Sequence, residues 1–113
     1  MVPGLEASPD PYFAMFSHIV VFWTKPEIAD APARLLAGAR ECLTPIPGVE
    51  LLHIGEMVTS PRPVVEQSYQ VALNIVFPDK AAHDTYQAHP LHQKFVEEYF
   101  KPLCSKLVVY DFA

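Results

Sequence analysis

The run His18-Ile19-Val20-Val21-Phe22-Trp23-Thr24 constrains this chain most. β-Branched and aromatic residues favour an extended, pleated backbone. A strand covered on one face alternates apolar and polar residues, and this one does not. Both of its faces need cover, and a chain of 113 residues has few elements to provide it. Half of the residues are hydrophobic and only 19% are charged. That balance implies apolar surface hidden in an oligomer or lining a cavity.

Proline and glycine punctuate the rest. Residues 1–14 carry Pro3, Gly4, Pro9 and Pro11 and read as an N-terminal extension without regular structure, ahead of a domain over 15–113. After the first strand, Asp30 is placed to cap a helix with Pro32 in its first turn. Leu35, Leu36, Ala39 and Leu43 share one face of that helix. Thr44-Pro45-Ile46-Pro47-Gly48 stops it. Strands are expected over 49–58, with Gly55 as a bulge or a point of close approach, and over 68–77, where Tyr69, Val71, Leu73, Ile75 and Phe77 share a face. Asp79 caps a helix running to about Ala88. His89-Pro90 breaks it, and a third helix follows over 91–103 with Phe95, Val96, Tyr99 and Phe100 as its stripe. Residues 106–112 make a last strand.

The order β-α-β-β-α-α-β predicts an α+β fold of the ferredoxin-like split βαβ kind. Its four-stranded antiparallel sheet has helices on one side only. The open face calls for a second copy, packed sheet to sheet as a two-fold homodimer.

Several functions are disfavoured. The net charge is −5 and the basic residues are scattered, so no nucleic acid partner is expected. No targeting signal or membrane span is apparent, which points to a soluble cytoplasmic protein. Cys42 and Cys104 fit no zinc spacing or C-x-x-C pair and read as reduced thiols. Neither has a histidine or helix N-terminus beside it to make it a nucleophile.

Three stretches narrow the fold: His18-Ile19-Val20-Val21-Phe22, Ile46-Pro47-Gly48-Val49, and Tyr86-Gln87-Ala88-His89-Pro90-Leu91-His92. Phe95-Val96, Lys101-Pro102-Leu103 and the closing Val108-Val109-Tyr110-Asp111-Phe112 add to them. Together they resemble the stress-responsive A/B barrel (Dabb) family over about residues 15–113. The resemblance implies a ferredoxin-like protomer whose sheet pairs with a second one to form a dimeric α/β barrel. One branch is similar to polyketide cyclases, which act without a cofactor through a tyrosine and a histidine in a cavity between helices and sheet. These correspond to Tyr86 and His92. The first-strand histidine corresponds to His18, and a further histidine of that branch falls at Val71 here.

Physical chemistry gives these residues two readings. Histidine is the natural base for taking a proton beside a ketone, and a phenol can donate to the enolate oxygen. The His89-Pro90 break turns the chain between Tyr86 and His92, so both can face one cavity. Alternatively, Tyr86 is a core tyrosine and His92 caps the third helix. His18, His89, Phe22 and Val71 are assigned to a ligand cavity suited to a small apolar or aromatic molecule. His18 reads equally as a histidine at a sheet end, and His89 as no more than the residue before proline. His83, His89 and His92 do not match a zinc spacing, so no metal and no cofactor is expected. The expected role is a homodimer of undefined biochemistry with a cavity for such a ligand; the alternative is a cyclase-like enzyme. A haem- or oxygen-handling enzyme is thinkable by fold analogy alone.

Overall fold

A computed structural model describes residues 15–113. The extension expected over 1–14 lies outside the described residues. Strand β1 (Phe16–Thr24) is followed by helix α1 (Ala31–Leu43), then β2 (Leu51–Glu56) and β3 (Val71–Phe77). Helices α2 (Lys80–Ala88) and α3 (Pro90–Phe95) come next. A π-helical turn over Val96–Phe100 and a last helical turn, α4 (Lys101–Leu103), lead into β4 (Cys104–Phe112). The four strands form one sheet in the order β2-β3-β1-β4, with every pairing antiparallel. The expected α+β, ferredoxin-like layout is the one observed.

β1 lies between β3 and β4, and its residues alternate strictly. Phe16, His18, Val20, Phe22 and Thr24 are buried under the helices. Ile19, Val21 and Trp23 turn to the other face and are half-buried. Cross-strand partners share a face. Ile19 therefore sits beside Tyr110, and Val21 beside Val108. Leu51, Tyr110 and Phe112 of this open face are all more than half exposed.

The helices begin where their sequence signals place them, though not every signal acts as expected. The Asp79 carboxylate accepts from the Ala82 N–H at 2.8 Å and starts α2. Asp30 precedes α1 as expected, but its side chain makes no capping bond. It pairs loosely with Arg34 instead, at 3.7 Å. The apolar face of α1 is also wider than the four expected residues, because Ala31, Gly38 and Cys42 are buried with them. Gly48 takes a φ of 86° in the turn ahead of β2, a conformation that favours glycine.

Three local expectations are corrected. The residues after Phe95 do not continue as an α-helix. Pro102 has no N–H to give the carbonyl four residues back, and the Lys101 N–H bonds to the Val96 carbonyl, five back. Gly55 forms no bulge and pairs regularly with Ala72. The irregularity falls between Trp23 and Thr24, opposite Ser105. Tyr69 does not share the face of Val71. It precedes the regular pairing of β3 and packs on Trp23 of the open face, ring centroids 6.4 Å apart.

Gly38 is buried because the Tyr99 ring lies on it. A Cβ there would stand 2.3 Å from the nearest ring carbon. In an exposed helix, Gly38→Ala would stabilise by about 1 kcal/mol. Here it is expected to destabilise by about 1–3 kcal/mol, as overpacking does, in urea titration. A stabilised variant would contradict the close contact.

Candidate functional site

A cavity of about 300 Å³ opens between the β1–β4 half of the sheet and the helices α2 and α3. Its walls are mostly apolar and include Val20, Phe22, Leu73, Phe95, Phe100 and Val109. Its polar groups are His18, His83, Tyr86, Gln87, His92 and Asp111. Small-molecule sites have this make-up: an apolar body and a few convergent polar groups.

Each polar group owes its place to a local signal. His18 lies on the inward face of β1 and is 4% exposed. Its register partner on β4 is Asp111. The His18 Nδ1–H donates to Asp111 Oδ1 at 2.5 Å, and the Gln87 amide lies 3.4 Å from Nε2. A proton on Nδ1 and an Nε2 that accepts satisfy both contacts. Burial holds the His18 pKa below its ordinary 6.5, against the pull of Asp111.

Tyr86 and His92 do converge. Their ring centroids are 5.0 Å apart, edge to face, and both line the cavity. The break that brings this about is at His89, which is extended with ψ 141°. Burial raises the Tyr86 pKa, so the phenol stays a donor. Burial also lowers that of His92, so the ring stays neutral. His92 Nδ1 is buried and has no hydrogen-bond partner among the described residues.

Of the four residues assigned to the cavity, His18 and Phe22 line it; His89 and Val71 do not. His89 Nδ1 accepts from the Leu91 N–H at 3.1 Å and so caps α3, the role considered for His92. Val71 is wholly buried in the core, and Leu73, two residues on, supplies the β3 wall. Trp23 and Tyr69 lie on the opposite face of the sheet. Cys42 and Cys104 are free and buried, and burial raises both thiols, Cys104 to about 11.

Three polar residues of the cavity are not assigned to it from the sequence: His83, Gln87 and Asp111. Asp111 had a signal, being the single charge in Val108–Phe112. His83 and Gln87 had a weaker one: they flank Tyr86 at offsets of three and one, which keeps His83 on its face. The helix histidines do not gather as a trio. His83 meets His18 instead, ring centroids 4.9 Å apart.

A four-stranded sheet with helices on one side and a polar-ended cavity between the layers defines a ferredoxin-like α+β protein. The chain belongs to the stress responsive A/B barrel domain family, whose model matches residues 16–113. No curated protein matches the sequence. Among solved structures, it resembles a Dabb family protein with a ferredoxin-like fold from Mesorhizobium loti: 28% identity, TM-score 0.71, 88% of this chain and 95% of that one. A dimeric ferredoxin-like protein of unknown function from Thermobifida fusca shares the fold at 18% identity, TM-score 0.72, covering 88% and 90%. So does a hydroxynitrile lyase from Passiflora edulis at 22% identity, TM-score 0.68, covering 87% and 91%. Among the described residues, no helix is long and apolar enough to cross a membrane.

The buried histidines set a direction for pH dependence. His18 and His92 are held below 6.5 in the folded chain, whereas the unfolded chain protonates near that value. Their contribution to stability is complete above the unfolded pKa and is lost as pH falls through the folded one. The melting temperature is expected to be lower at about pH 5 than at about pH 7.5, by a smaller margin in His92→Leu. An equal margin in that variant would rule out His92 as a contributor.

Proposed function

We propose that this protein is a homodimer that holds a small, largely apolar molecule bearing one polar group in the cavity of each protomer. The observation that carries this reading is the convergence of Tyr86, His92 and His18 in a cavity whose walls are mostly apolar. The apolar walls would take the body of the ligand, and the polar end would fix its orientation. The open sheet face supports the dimer. Leu51, Tyr110 and Phe112 lie on it, exposed, and the similar Thermobifida fusca protein is dimeric. The two free thiols suit a reducing compartment, and we place the protein in the cytoplasm.

A second reading makes it an enzyme that works by acid–base chemistry without a cofactor. It is favoured by one observation: a phenol held protonated stands 5.0 Å, ring to ring, from an imidazole held neutral. In this reading His92 takes a proton beside a carbonyl, and the Tyr86 hydroxyl donates to the oxygen as charge develops there.

Native mass spectrometry of the protein purified from its own host tests the first reading. A dimer carrying a bound small molecule is expected, and a monomer would remove the basis for the dimer. Val21→Glu, on the open face, should give monomers in light scattering, because a carboxylate would be buried unpaired. For the second reading, deuterium uptake by a small aryl methyl ketone in D2O is the measurement. Uptake above the buffer rate should drop by about a hundredfold or more in His92→Ala. Unchanged uptake would exclude His92 as the base.

A further inference from the structure

We infer that His18, His83 and Asp111 form a binding site for one divalent transition-metal ion of the zinc class, beyond whatever organic molecule the cavity holds. The three side chains come from β1, α2 and β4 and present ligand atoms that all lie within 4.8 Å of one another. Two imidazoles and one carboxylate are a donor set that zinc and its neighbours accept.

The second observation is an unpartnered buried nitrogen. His83 is 9% exposed, and its Nε2 has no hydrogen-bond partner among the described residues. Its other nitrogen, Nδ1, donates to the Asp84 carboxylate at 3.1 Å. With the proton on Nδ1, Nε2 carries a lone pair. Asp111 Oδ2 lies 3.9 Å from that nitrogen. In this tautomer two acceptors stand at that separation with no donor between them. A metal ion with bonds of about 2.0–2.2 Å to nitrogen and oxygen spans such a separation. The carboxylate behind the imidazole is also the usual arrangement around metal-bound histidine, where it fixes the ring and raises its basicity.

The proton inventory closes. The ion binds His18 at Nδ1 and takes the place of the proton now held between His18 and Asp111. That proton moves to Nε2, and the Gln87 amide turns to accept it with its oxygen. The metal arrives as a cation and no proton leaves the site. Asp111 has an exposed side chain, so an entry path exists. Three protein ligands leave a fourth position open to water, next to the cavity that Tyr86 and His92 line.

The test is calorimetric titration of zinc chloride into the untagged, chelator-stripped full chain. One zinc ion per chain is expected. His83→Ala should weaken binding at least about tenfold, and surface His53→Ala should leave it unchanged. Because His83→Ala also empties part of the core, Asp84→Asn is the companion variant. Asp84 is exposed and paired with Lys80, and its loss should still weaken zinc binding. Cobalt(II) in place of zinc should give the strong visible bands of a four-coordinate ion. No saturable uptake of zinc, uptake that ignores both variants, or a pale six-coordinate cobalt spectrum would overturn the site.

Discussion

The pairing register of β1 is the constraint on which the rest of the molecule depends. β1 exchanges hydrogen bonds with β3 on one side and β4 on the other, and its side chains alternate between two environments. A slip of one residue would send His18, Val20 and Phe22 to the open face and bring Ile19, Val21 and Trp23 under the helices. The cavity would lose His18 and its apolar floor together. The same register sets His18 opposite Asp111 and Val20 opposite Val109, so the polar end and the apolar wall are fixed by one set of backbone bonds.

The helix layer adds the other half by its breaks. α2 carries His83, Tyr86 and Gln87, and the extended His89 turns the chain so that α3 brings His92 back beside Tyr86. The π-helical turn continues this work. By widening the helix at the point where Pro102 cannot donate, it keeps both Val96 and Phe100 on the cavity wall. Gly38 lets α1 meet the Tyr99 ring of that turn closely. Backbone irregularity here serves placement.

The electrostatics follow from burial. Three histidines and a tyrosine stand in or near an apolar layer with one carboxylate among them. Burial opposes charge on His18 and His92 and keeps Tyr86 protonated, while Asp111 pulls His18 the other way. The site is therefore set to donate from a phenol and accept at an imidazole near neutral pH. An organic ligand at Tyr86 and His92 and a metal ion bound by His18, His83 and Asp111 would be neighbours in this cavity, with His18 between the two.

The local elements were legible in the sequence because their causes are local. Proline and glycine punctuation, the Asp79 cap and the apolar run of β1 act within a few residues, and they give the β-α-β-β-α-α-β order and the α+β class. The Tyr86–His92 pairing was legible for the same reason, since the proline break between them is a local event. Tertiary structure decided the rest. Nothing near His18 in the chain announces Asp111, which is 93 residues away. The sequence offers Val71 to the cavity by its match to a histidine of the cyclase-like branch and His89 by its place in the stretch that ends at His92, but core packing claims the first and a capping bond the second. Nothing in the sequence around His83 announces Phe16 and Phe77, whose rings pack against it from distant strands. Sequence determines which residues will be strand, helix and break; only packing decides which side chains, from elements far apart in the chain, end in the same few ångströms.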